Sequence, residues 1–362
     1  MTTLPAAFIR KRITNKQVSI DWPERCITMI PYTKSDKKLM ELIDTGIIEL
    51  RPIDFYFSDF NIEQSNAKHL FTHIGSGIGD IIALSSVTDY LITNGYNVTV
   101  YAPESKHAVF DWFQNRPNIK KYFDPIVLDV SPQDRLIRLK SINRLRLELA
   151  AVEAREQCWY DAQFSRIGMD YAPEGFNRPK LSAVGMLRAD SMINHEKNVL
   201  ICHRASCQMR SSNFEDFYKP VKKVYPDYHV YVHETDLTEK DKQFISAVTD
   251  VTVLPKCSLN DYLFNLFDAN MVITTDSSAI HFREGLELPA VGVYGAMSTE
   301  SRVSGYRFTR SFNVKSSCQH QPCFIHERVK GQVCLNAKEG DLVAKCQTGK
   351  AFQNQLEKEL RK

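Results

Sequence analysis

The pattern of hydrophobic and polar positions becomes regular near His69, and two runs of alternating strands and helices follow. The first run predicts strands over 69–74, 98–101 and 125–130, and helices over 81–94, 106–114 and 134–156. The second run predicts strands over 199–202, 229–233, 251–254, 272–275 and 290–294, and helices over 213–224, 238–248, 259–267 and after Asp276. Such alternation is typical of parallel sheets that carry helices on both faces.

The pattern predicts an α/β protein with two doubly wound, Rossmann-like lobes that enclose a ligand cleft. We expect an N-terminal extension over 1–65, a first lobe over 66–190, a second lobe over 191–316, and a cysteine-rich segment with a terminal helix over 317–362. Periodicity is lost over 178–195, where we place the linker between the lobes. The extension shows strand candidates at 26–30 and 47–50 around a helix at 35–44, and suits an added layer, an oligomer contact or an acceptor-binding element.

Composition limits the classes of function. Of the 362 residues, 43% are hydrophobic and 25% are charged, and the net charge is +3, so nucleic acid could be bound only by a local basic patch. No apolar run approaches the ~20 residues of a membrane span, and the N-terminus lacks the core of a secretory signal. We therefore expect a cytoplasmic protein, in the host cytoplasm if it is encoded by a phage, with thiols rather than disulfides among its nine cysteines.

Two turns between strand and helix carry candidate chemistry. The first contains Gly75, Gly77, Gly79 and Asp80, without the G-x-G-x-x-G of a dinucleotide site or the G-K-[ST] of a P-loop. Asp80 is either an acid that complements the helix dipole or a general base facing the cleft. The second turn, Asp276-Ser277-Ser278, either simply caps a helix or offers free backbone N–H groups to a diphosphate.

The sequence around these turns resembles one enzyme family. GSGIGDIIALSSVTDYL resembles the opening motif of the family 9 glycosyltransferases, the bacterial heptosyltransferases, and TTDSSAIHFREGLELPAVGVYGAMSTESR is similar to their Asp-Thr-Gly-x-x-His signature with its following strand and loop. The resemblance covers roughly residues 66–362. It implies the two-lobed GT-B fold, a nucleotide-diphosphate sugar as donor, and inverting transfer without a catalytic metal.

Carried over to this sequence, the resemblance assigns Asp80 as the base that deprotonates the acceptor hydroxyl. It assigns donor binding to seven residues: Ser206, Arg210, Asp276, Ser277, Ser278, His281 and Gly295. Two departures leave the donor sugar open: Ser277-Ser278 replaces Thr-Gly, and the loop from Gly295 to Ser298 lacks the family's Gly-Pro-Thr. Taken alone, Arg210 would also suit a surface cation, and His281 a core histidine.

Four cysteines near the C-terminus form a C-x4-C-x10-C-x11-C pattern of Cys318, Cys323, Cys334 and Cys346. Four thiolates suit a structural zinc or iron site, with His320 and His326 as substitute ligands, and the alternative is a set of reduced, unligated thiols. The resemblance favours the metal, because some protein-modifying members of the family hold iron in a comparable cluster.

The acceptor is harder to predict. The predicted helix over 134–156 carries the cations Arg135, Arg138, Lys140, Arg144 and Arg146, and Trp159, Tyr160 and Phe164 follow it. Such a helix could lie on a phosphate backbone, or could simply present a solvated face. We carry three hypotheses, and lean to the first: a transferase that glycosylates hydroxylated cytosine in bacteriophage DNA, a heptosyltransferase-like enzyme for a lipopolysaccharide core or a protein hydroxyl, and a non-catalytic nucleotide-sugar binding module. The protein could also form a homo-oligomer.

Overall fold

The computed structural model describes residues 7–11, 27–30, 48–52, 69–73, 77–121, 126–127, 142–145, 158–165, 167–186, 191–321, 323, 333–337 and 342–362. Within these ranges the strands and helices alternate as the sequence predicts, and the α/β class with two Rossmann-like lobes is confirmed. No helix in these ranges is both long enough and apolar enough to cross a membrane.

The first lobe is built on a parallel sheet in the order β6-β5-β4-β8. Its strands are β4 (His69–His73), β5 (Asn97–Ala102), β6 (Asn118–Lys121) and β8 (Ile142–Leu145). Helix α1 (Ile78–Thr93) follows β4, a 3-10 helix (Glu104–Trp112) follows β5, and α2 (Trp159–Ser165) follows β8. Helix α1 is buried almost continuously from Ile81 to Leu91, and the buried residues include the polar Ser85, Ser86, Thr88 and Asp89.

The second lobe is a six-stranded parallel sheet in the order β11-β10-β9-β12-β13-β14. Its strands are β9 (Asn198–Cys202), β10 (His229–His233), β11 (Val251–Leu254), β12 (Met271–Thr275), β13 (Ala290–Tyr294) and β14 (Thr309–Asn313). The helices are α3 (Phe214–Val224), α4 (Glu239–Ile245), α5 (Leu259–Asp268), α6 (Ser278–Gly285) and α7 (Thr299–Val303). Strands β9 and β13 are buried along their whole length, as expected for a sheet that is covered on both faces.

Hydroxyl caps fix where several of these helices begin. The side chains of Thr238, Ser258, Ser277 and Ser298 accept hydrogen bonds from backbone N–H groups at the starts of α4, α5, α6 and α7. Thr238 forms a reciprocal capping box with Asp241. These caps place the first turn of each helix at the carboxyl edge of the sheet, where ligands of doubly wound folds bind.

A third sheet is formed by the N-terminal strands. β1 (Ala7–Lys11), β2 (Ile27–Ile30), β3 (Ile48–Pro52) and β7 (Ile126–Val127) pair antiparallel in the order β3-β1-β2-β7. The predicted strand over 125–130 thus pairs with β2 rather than joining the parallel sheet. The helix predicted over 35–44 lies outside the described residues.

Two helices of the first lobe differ from prediction. The helix predicted over 106–114 is a 3-10 helix over Glu104–Trp112. The helix predicted over 134–156 is wrong at Ile142–Leu145, which is strand β8 and pairs parallel with β4. The spacing of Leu and Arg in this stretch is compatible with either a helix or a strand, and pairing with β4 makes it a strand. The remaining residues of 134–156 lie outside the described ranges.

The two lobes share one core. The Trp112 ring packs edge-on against Phe264 and Phe282 of the second lobe, with centroids 5.1 and 5.0 Å away. Helix α8 (Gly349–Leu360) packs on α3 through Phe352 and Phe217, which confirms the terminal helix predicted from the sequence.

Candidate functional site

The site lies where the strand order of each lobe reverses. In the second lobe β9 and β12 are neighbours, and the loops that leave their carboxyl ends carry Arg210 and Asp276. In the first lobe β4 and β8 are neighbours, and Asp80 follows β4. Because a crevice opens at such a switch point, each lobe presents its polar residues at its own crevice.

Asp80 is held in the first turn of α1. Gly77 is the N-cap residue, and a Cβ atom there would overlap the Oδ2 atom of Asp80, so the carboxylate occupies the space that a side chain would fill. Burial raises the pKa of Asp80; Arg302 and Arg210 act to lower it, and Asp276 acts to raise it further. A carboxyl with a raised pKa is a stronger base once it is ionised, which suits proton removal.

Gly79 brings the lobes together beside Asp80. A Cβ atom at Gly79 would lie 3.3 Å from Cδ2 of His281 and 3.6 Å from the Cα atom of Ser278. Helix α1 therefore contacts the start of α6 through a position without a side chain. Gly75 lies outside the described residues.

Arg210 and Asp276 face each other across the carboxyl ends of β9 and β12. Their side chains form an ion pair of 3.7 Å, and Nη1 of Arg210 also donates to the backbone oxygen of Asp276 at 3.3 Å. Nη2 donates to Oγ of the exposed Ser206 at 2.8 Å, and Nε to Sγ of Cys207 at 3.2 Å. Burial acts to lower the pKa of Arg210, but Asp276, Cys207 and Asp80 together outweigh it and the pKa is raised.

The cap of α6 is Ser277, not Asp276. The Ser277 hydroxyl accepts from the backbone N–H of Ala279 at 3.3 Å and shares a hydrogen bond of 2.7 Å with Thr274. Asp276 is therefore free of the capping role, and its buried Oδ2 atom has the Arg210 guanidinium 3.7 Å away as an ion-pair partner but no hydrogen bond among the described residues. A buried carboxylate oxygen without a hydrogen bond is costly unless a ligand hydroxyl or water supplies one.

His281 belongs to the contact between the lobes. It is buried, and Nδ1 shares a hydrogen bond of 2.5 Å with the hydroxyl of Tyr306, which in turn bonds to Tyr160 of α2 at 2.8 Å. Burial lowers the pKa of His281 to about 4, so the imidazole is neutral near pH 7. Its ring also meets Trp159 edge-on, with centroids 5.6 Å apart.

The sequence analysis missed Tyr306 and Arg302 and misplaced the aromatic residues. Trp159, Tyr160 and Phe164, which were expected near a nucleic-acid surface, are buried in the first lobe and at the lobe contact. Arg302 lies with its guanidinium carbon 4.2 Å from the centre of the Trp159 ring. Arg302 lies on α7 and Tyr306 lies between α7 and β14, so both belong to the connection that leaves the carboxyl end of β13, and that position was the available signal.

Of the basic residues proposed to contact DNA, Arg144 is the one within the described residues. Arg144 lies within strand β8, and the helical face that was meant to display it does not exist at Ile142–Leu145. Arg135, Arg138, Lys140 and Arg146 lie outside the described residues. The described part of the chain thus offers no basic helix in the first lobe.

The cysteine-rich segment lies directly behind the Arg210 loop. Cys323 packs against Met209 and Ala296, and the backbone N–H of Cys334 donates to the Gln208 side chain at 2.8 Å. A Cβ atom at Gly295 would lie 3.1 Å from Sγ of Cys346, so Gly295 faces this segment.

The four thiols are neighbours, but they do not form a ligand set as placed. Burial raises the pKa of Cys323 to about 11 and of Cys346 to about 12, and the surrounding thiols of the group raise both further. Among the described residues, no group of three or more His, Cys, Asp or Glu side chains has the arrangement of a metal site. His326 lies outside those residues.

Comparison with known proteins identifies the class. Residues 156–333 match the family model of glycosyltransferase family 9 (heptosyltransferase). The chain is a glycosyltransferase related to family 9. No curated protein sequence matches it.

Solved structures share the fold of this glycosyltransferase at low sequence identity. A family 9 glycosyl transferase from Veillonella parvula is 12% identical with a TM-score of 0.51, over 80% of this chain and 95% of that one. The iron-containing dodecameric glycosyltransferase TibC from enterotoxigenic E. coli is 12% identical, with a TM-score of 0.55. The match covers 93% of this chain and 82% of TibC. The structure of TibC in complex with ADP-D-beta-D-heptose has the same TM-score and sequence identity, and the match covers 98% of this chain and 91% of TibC. These likenesses show the GT-B fold.

Proposed function

We propose that the enzyme transfers a sugar with inversion from a nucleoside-diphosphate sugar to an acceptor hydroxyl. The observation that carries the proposal is the placement of Asp80 in one lobe beside the Arg210–Asp276 pair of the other. The acceptor hydroxyl requires a base, which the carboxylate supplies, and the leaving diphosphate requires a fixed positive charge, which Arg210 supplies from the other lobe.

In this mechanism Asp80 accepts the proton of the acceptor hydroxyl. The acceptor oxygen forms its bond to the anomeric carbon while the bond from that carbon to the diphosphate oxygen breaks. Arg210 and the free backbone N–H groups at the start of α6 stabilise the charge that develops on the diphosphate. The Oδ2 atom of Asp276, which has no hydrogen bond among the described residues, would accept one from a hydroxyl of the donor.

The donor to test first is ADP-heptose. The support is the fold that this chain shares with TibC, which has been solved with ADP-D-beta-D-heptose. For Asp80→Asn we expect unchanged donor affinity by calorimetry and turnover lower by about 10²–10⁴-fold, since general base catalysis contributes that much. Asp111→Asn, on the exposed 3-10 helix of the same lobe, serves as the control. Wild-type turnover in Asp80→Asn would reject the assignment.

For the acceptor we propose a glycan or protein hydroxyl. The DNA hypothesis depended on a basic helix over 134–156, and strand β8 now occupies part of that range. Intact-mass analysis of lipid-core glycans, protein substrates and hydroxymethylcytosine oligonucleotides, each incubated with enzyme and a panel of nucleotide sugars, tests both. A mass gain of one sugar on DNA alone would reverse the choice, and no gain on any acceptor would favour a binding module.

We further propose that Cys318, Cys323, Cys334 and Cys346 hold a structural metal when it is supplied. Four thiols are the donor set of a tetrahedral zinc or iron site, the other three cysteines are near enough to Cys346 to influence it electrostatically, and TibC is described as iron-containing. Cys323→Ser should lower both bound metal, measured by plasma mass spectrometry, and the unfolding temperature. Cys158→Ser, at the start of the first-lobe helix α2, is the matched control. Equal metal content in both variants would reject the site.

We also propose that the enzyme acts in the cytoplasm as an oligomer. The eight described cysteines are free, as expected in a reducing compartment, and TibC is described as dodecameric. Light scattering of the purified protein tests the assembly, and a monomer at micromolar concentration would contradict it.

A further inference from the structure

His281, Tyr306 and Tyr160 form a chain of hydrogen bonds that crosses the contact between the lobes. Nδ1 of His281 is 2.5 Å from the Tyr306 hydroxyl, which is 2.8 Å from the Tyr160 hydroxyl. His281 lies on α6 of the second lobe, and Tyr160 lies on α2 of the first. Because Tyr160 is fully buried, its hydroxyl proton must find an acceptor within the protein.

The loop that carries Tyr306 is anchored to the helix that carries His281. The buried Glu284 lies one turn after His281 on α6. Its carboxylate accepts hydrogen bonds from the backbone N–H groups of residues 307–309, at 2.8, 3.0 and 2.9 Å. The backbone directly after Tyr306 is thus tied to α6, which keeps the Tyr306 hydroxyl beside the imidazole.

The chain satisfies both hydroxyl protons in only one direction. If Tyr160 donates to Tyr306 and Tyr306 donates to Nδ1 of His281, each O–H group has an acceptor. In the reverse direction Nδ1–H donates to Tyr306, and Tyr306 donates to Tyr160. That arrangement leaves the buried O–H group of Tyr160 without an acceptor among the described residues. Since a buried donor without an acceptor is costly, the first direction is favoured.

The other ring nitrogen of His281 faces the first turn of α1 in the opposite lobe. Nε2 lies 3.8 Å from a Cβ atom built at Gly79, the residue before Asp80, and Cδ2 lies 3.3 Å from it. Burial lowers the pKa of His281 to about 4, so the ring carries one proton near pH 7. When Nδ1 accepts from Tyr306, that proton is on Nε2.

We infer that Tyr306 is a positioning residue that fixes neutral His281 as the tautomer with its proton on Nε2. The inference rests on the proposed function and adds that Nε2–H donates to an oxygen of the nucleotide sugar. In this tautomer the lone pair of the ring is on Nδ1, where the Tyr306 hydroxyl engages it. His281 therefore serves as a hydrogen-bond donor and does not compete with Asp80 for the proton of the acceptor.

The tautomer can be read directly by NMR. Protein labelled with ¹⁵N in its histidine rings is recorded at pH 7.5 without substrate, and the His281 signals are identified by their loss in His281→Gln. We expect the wild type to show a protonated Nε2 and an unprotonated Nδ1. Tyr306→Phe, which removes the donor to Nδ1, should add a measurable fraction of the other tautomer. A proton on Nδ1 in the wild type, or an unchanged tautomer ratio in Tyr306→Phe, would overturn the inference.

Tyr160→Phe is the matched control. It also removes one hydroxyl from the chain, but Tyr306 can still donate to Nδ1, so the wild-type tautomer should persist. If this variant lost the Nε2–H tautomer as readily as Tyr306→Phe, the contact between the lobes rather than the Tyr306 hydroxyl would select it, and the inference would fail.

Calorimetry with ADP-heptose, in the absence of an acceptor, tests the contact with the ligand. A glutamine amide can replace the N–H group at Nε2, whereas the shorter asparagine places its amide near Nδ1. His281→Asn should therefore bind ADP-heptose up to about tenfold more weakly than His281→Gln, since a neutral hydrogen bond contributes about that factor. Equal Kd values would overturn the contact. Absence of binding to the wild type would instead reject the proposed donor, and the NMR spectrum would still decide the tautomer.

Discussion

Gly77 has no side chain because the carboxylate of Asp80 occupies that space. The N-cap position of α1 has φ −73° and ψ 119°, which any residue can adopt, so the backbone does not require glycine there. A Cβ atom would overlap Oδ2 of Asp80. Glycine at position 77 therefore leaves the space that the Asp80 side chain needs for its observed orientation.

Gly77→Ala should consequently lower turnover while the protein still folds. The added methyl group must displace the Asp80 carboxylate, and a small misplacement of a reacting group is enough to cost about 10²-fold. We expect a change in unfolding temperature of only a few degrees, measured by calorimetry, together with near-normal donor affinity. Wild-type kcat in this variant would show that the observed orientation of Asp80 is not the catalytic one.

Arg210→Met should weaken donor binding. The substitution removes the cation opposite the diphosphate and leaves Asp276 buried without its partner. In its proposed role Arg210 forms a desolvated charge pair with the diphosphate, and truncating one partner of such a pair costs about 2–5 kcal/mol, so the Kd for ADP should rise at least about 30-fold. Isothermal titration calorimetry measures it. Arg116→Met, which breaks an exposed pair with Asp111, is the control and should leave the Kd unchanged.

His281 should make the fold sensitive to acid. Its pKa is about 4 in the folded protein against 6.5 for a free imidazole, so the unfolded chain binds the proton more readily. Its contribution to stability is complete above about pH 6.5 and is lost as the pH falls towards 4, reaching a loss of about 2 kcal/mol at pH 5. Urea unfolding at pH 7.5 and pH 5 measures this loss.

His281→Phe, which keeps an aromatic ring between Trp159 and Tyr306, should reduce that pH dependence by about 2 kcal/mol. His233 has the same lowered pKa, also because of burial, and should retain its own share. If the free energy of unfolding changed equally between pH 7.5 and pH 5 in the variant and in the wild type, the buried neutral state of His281 would be contradicted.

Arg283 stabilises the second lobe rather than the reaction. Its fully buried guanidinium donates to the backbone oxygens of Leu266, Phe267, Ala269, Asn270 and Pro289, at the end of α5 and before β13. Burial lowers its pKa to about 10, which still leaves it charged. Arg283→Met would leave several buried carbonyls unsatisfied, each at about 1–3 kcal/mol, and should reduce the free energy of unfolding by about 3 kcal/mol or more.

Denaturant unfolding checks this value, and Arg361→Met is the control because it removes only an exposed pair with Glu357 on α8. That control should change stability by less than about 0.5 kcal/mol. Equal effects in the two variants would mean that water replaces the guanidinium at the end of α5.

The sequence was most informative where local pattern and tertiary environment agree. The apolar runs of β9, β12 and β13 are buried strands as predicted, and Asp80 and Asp276 could be selected because each follows a strand at the edge where ligands bind, whereas Arg210 was assigned through the resemblance to family 9. The outcome at Ile142–Leu145 was less predictable. Leucines and arginines in that stretch satisfy helical spacing, and only pairing with β4 makes it a strand.

Arg302 and Tyr306 were missed for a different reason. Their roles arise from contacts with Trp159 and Tyr160, which are more than 140 positions earlier in the chain. No periodicity within a short window encodes such contacts. The pairing of Asp276 with Arg210 likewise joins residues that are 66 positions apart, whereas the Ser277 cap on the N–H of Ala279 is a local contact.

The segment behind Arg210 also sets the order in which the enzyme can mature on the ribosome. Every strand of the second sheet has been synthesised by Asn313, yet Gln208 and Ser211 are bonded to Cys334 and Ala344, and Ser212 to Gln347. A nascent chain that has completed its sheet still lacks the contacts that support the Arg210 loop. We therefore expect the proposed donor site around Arg210 to be completed only when the last portion of the chain has been synthesised.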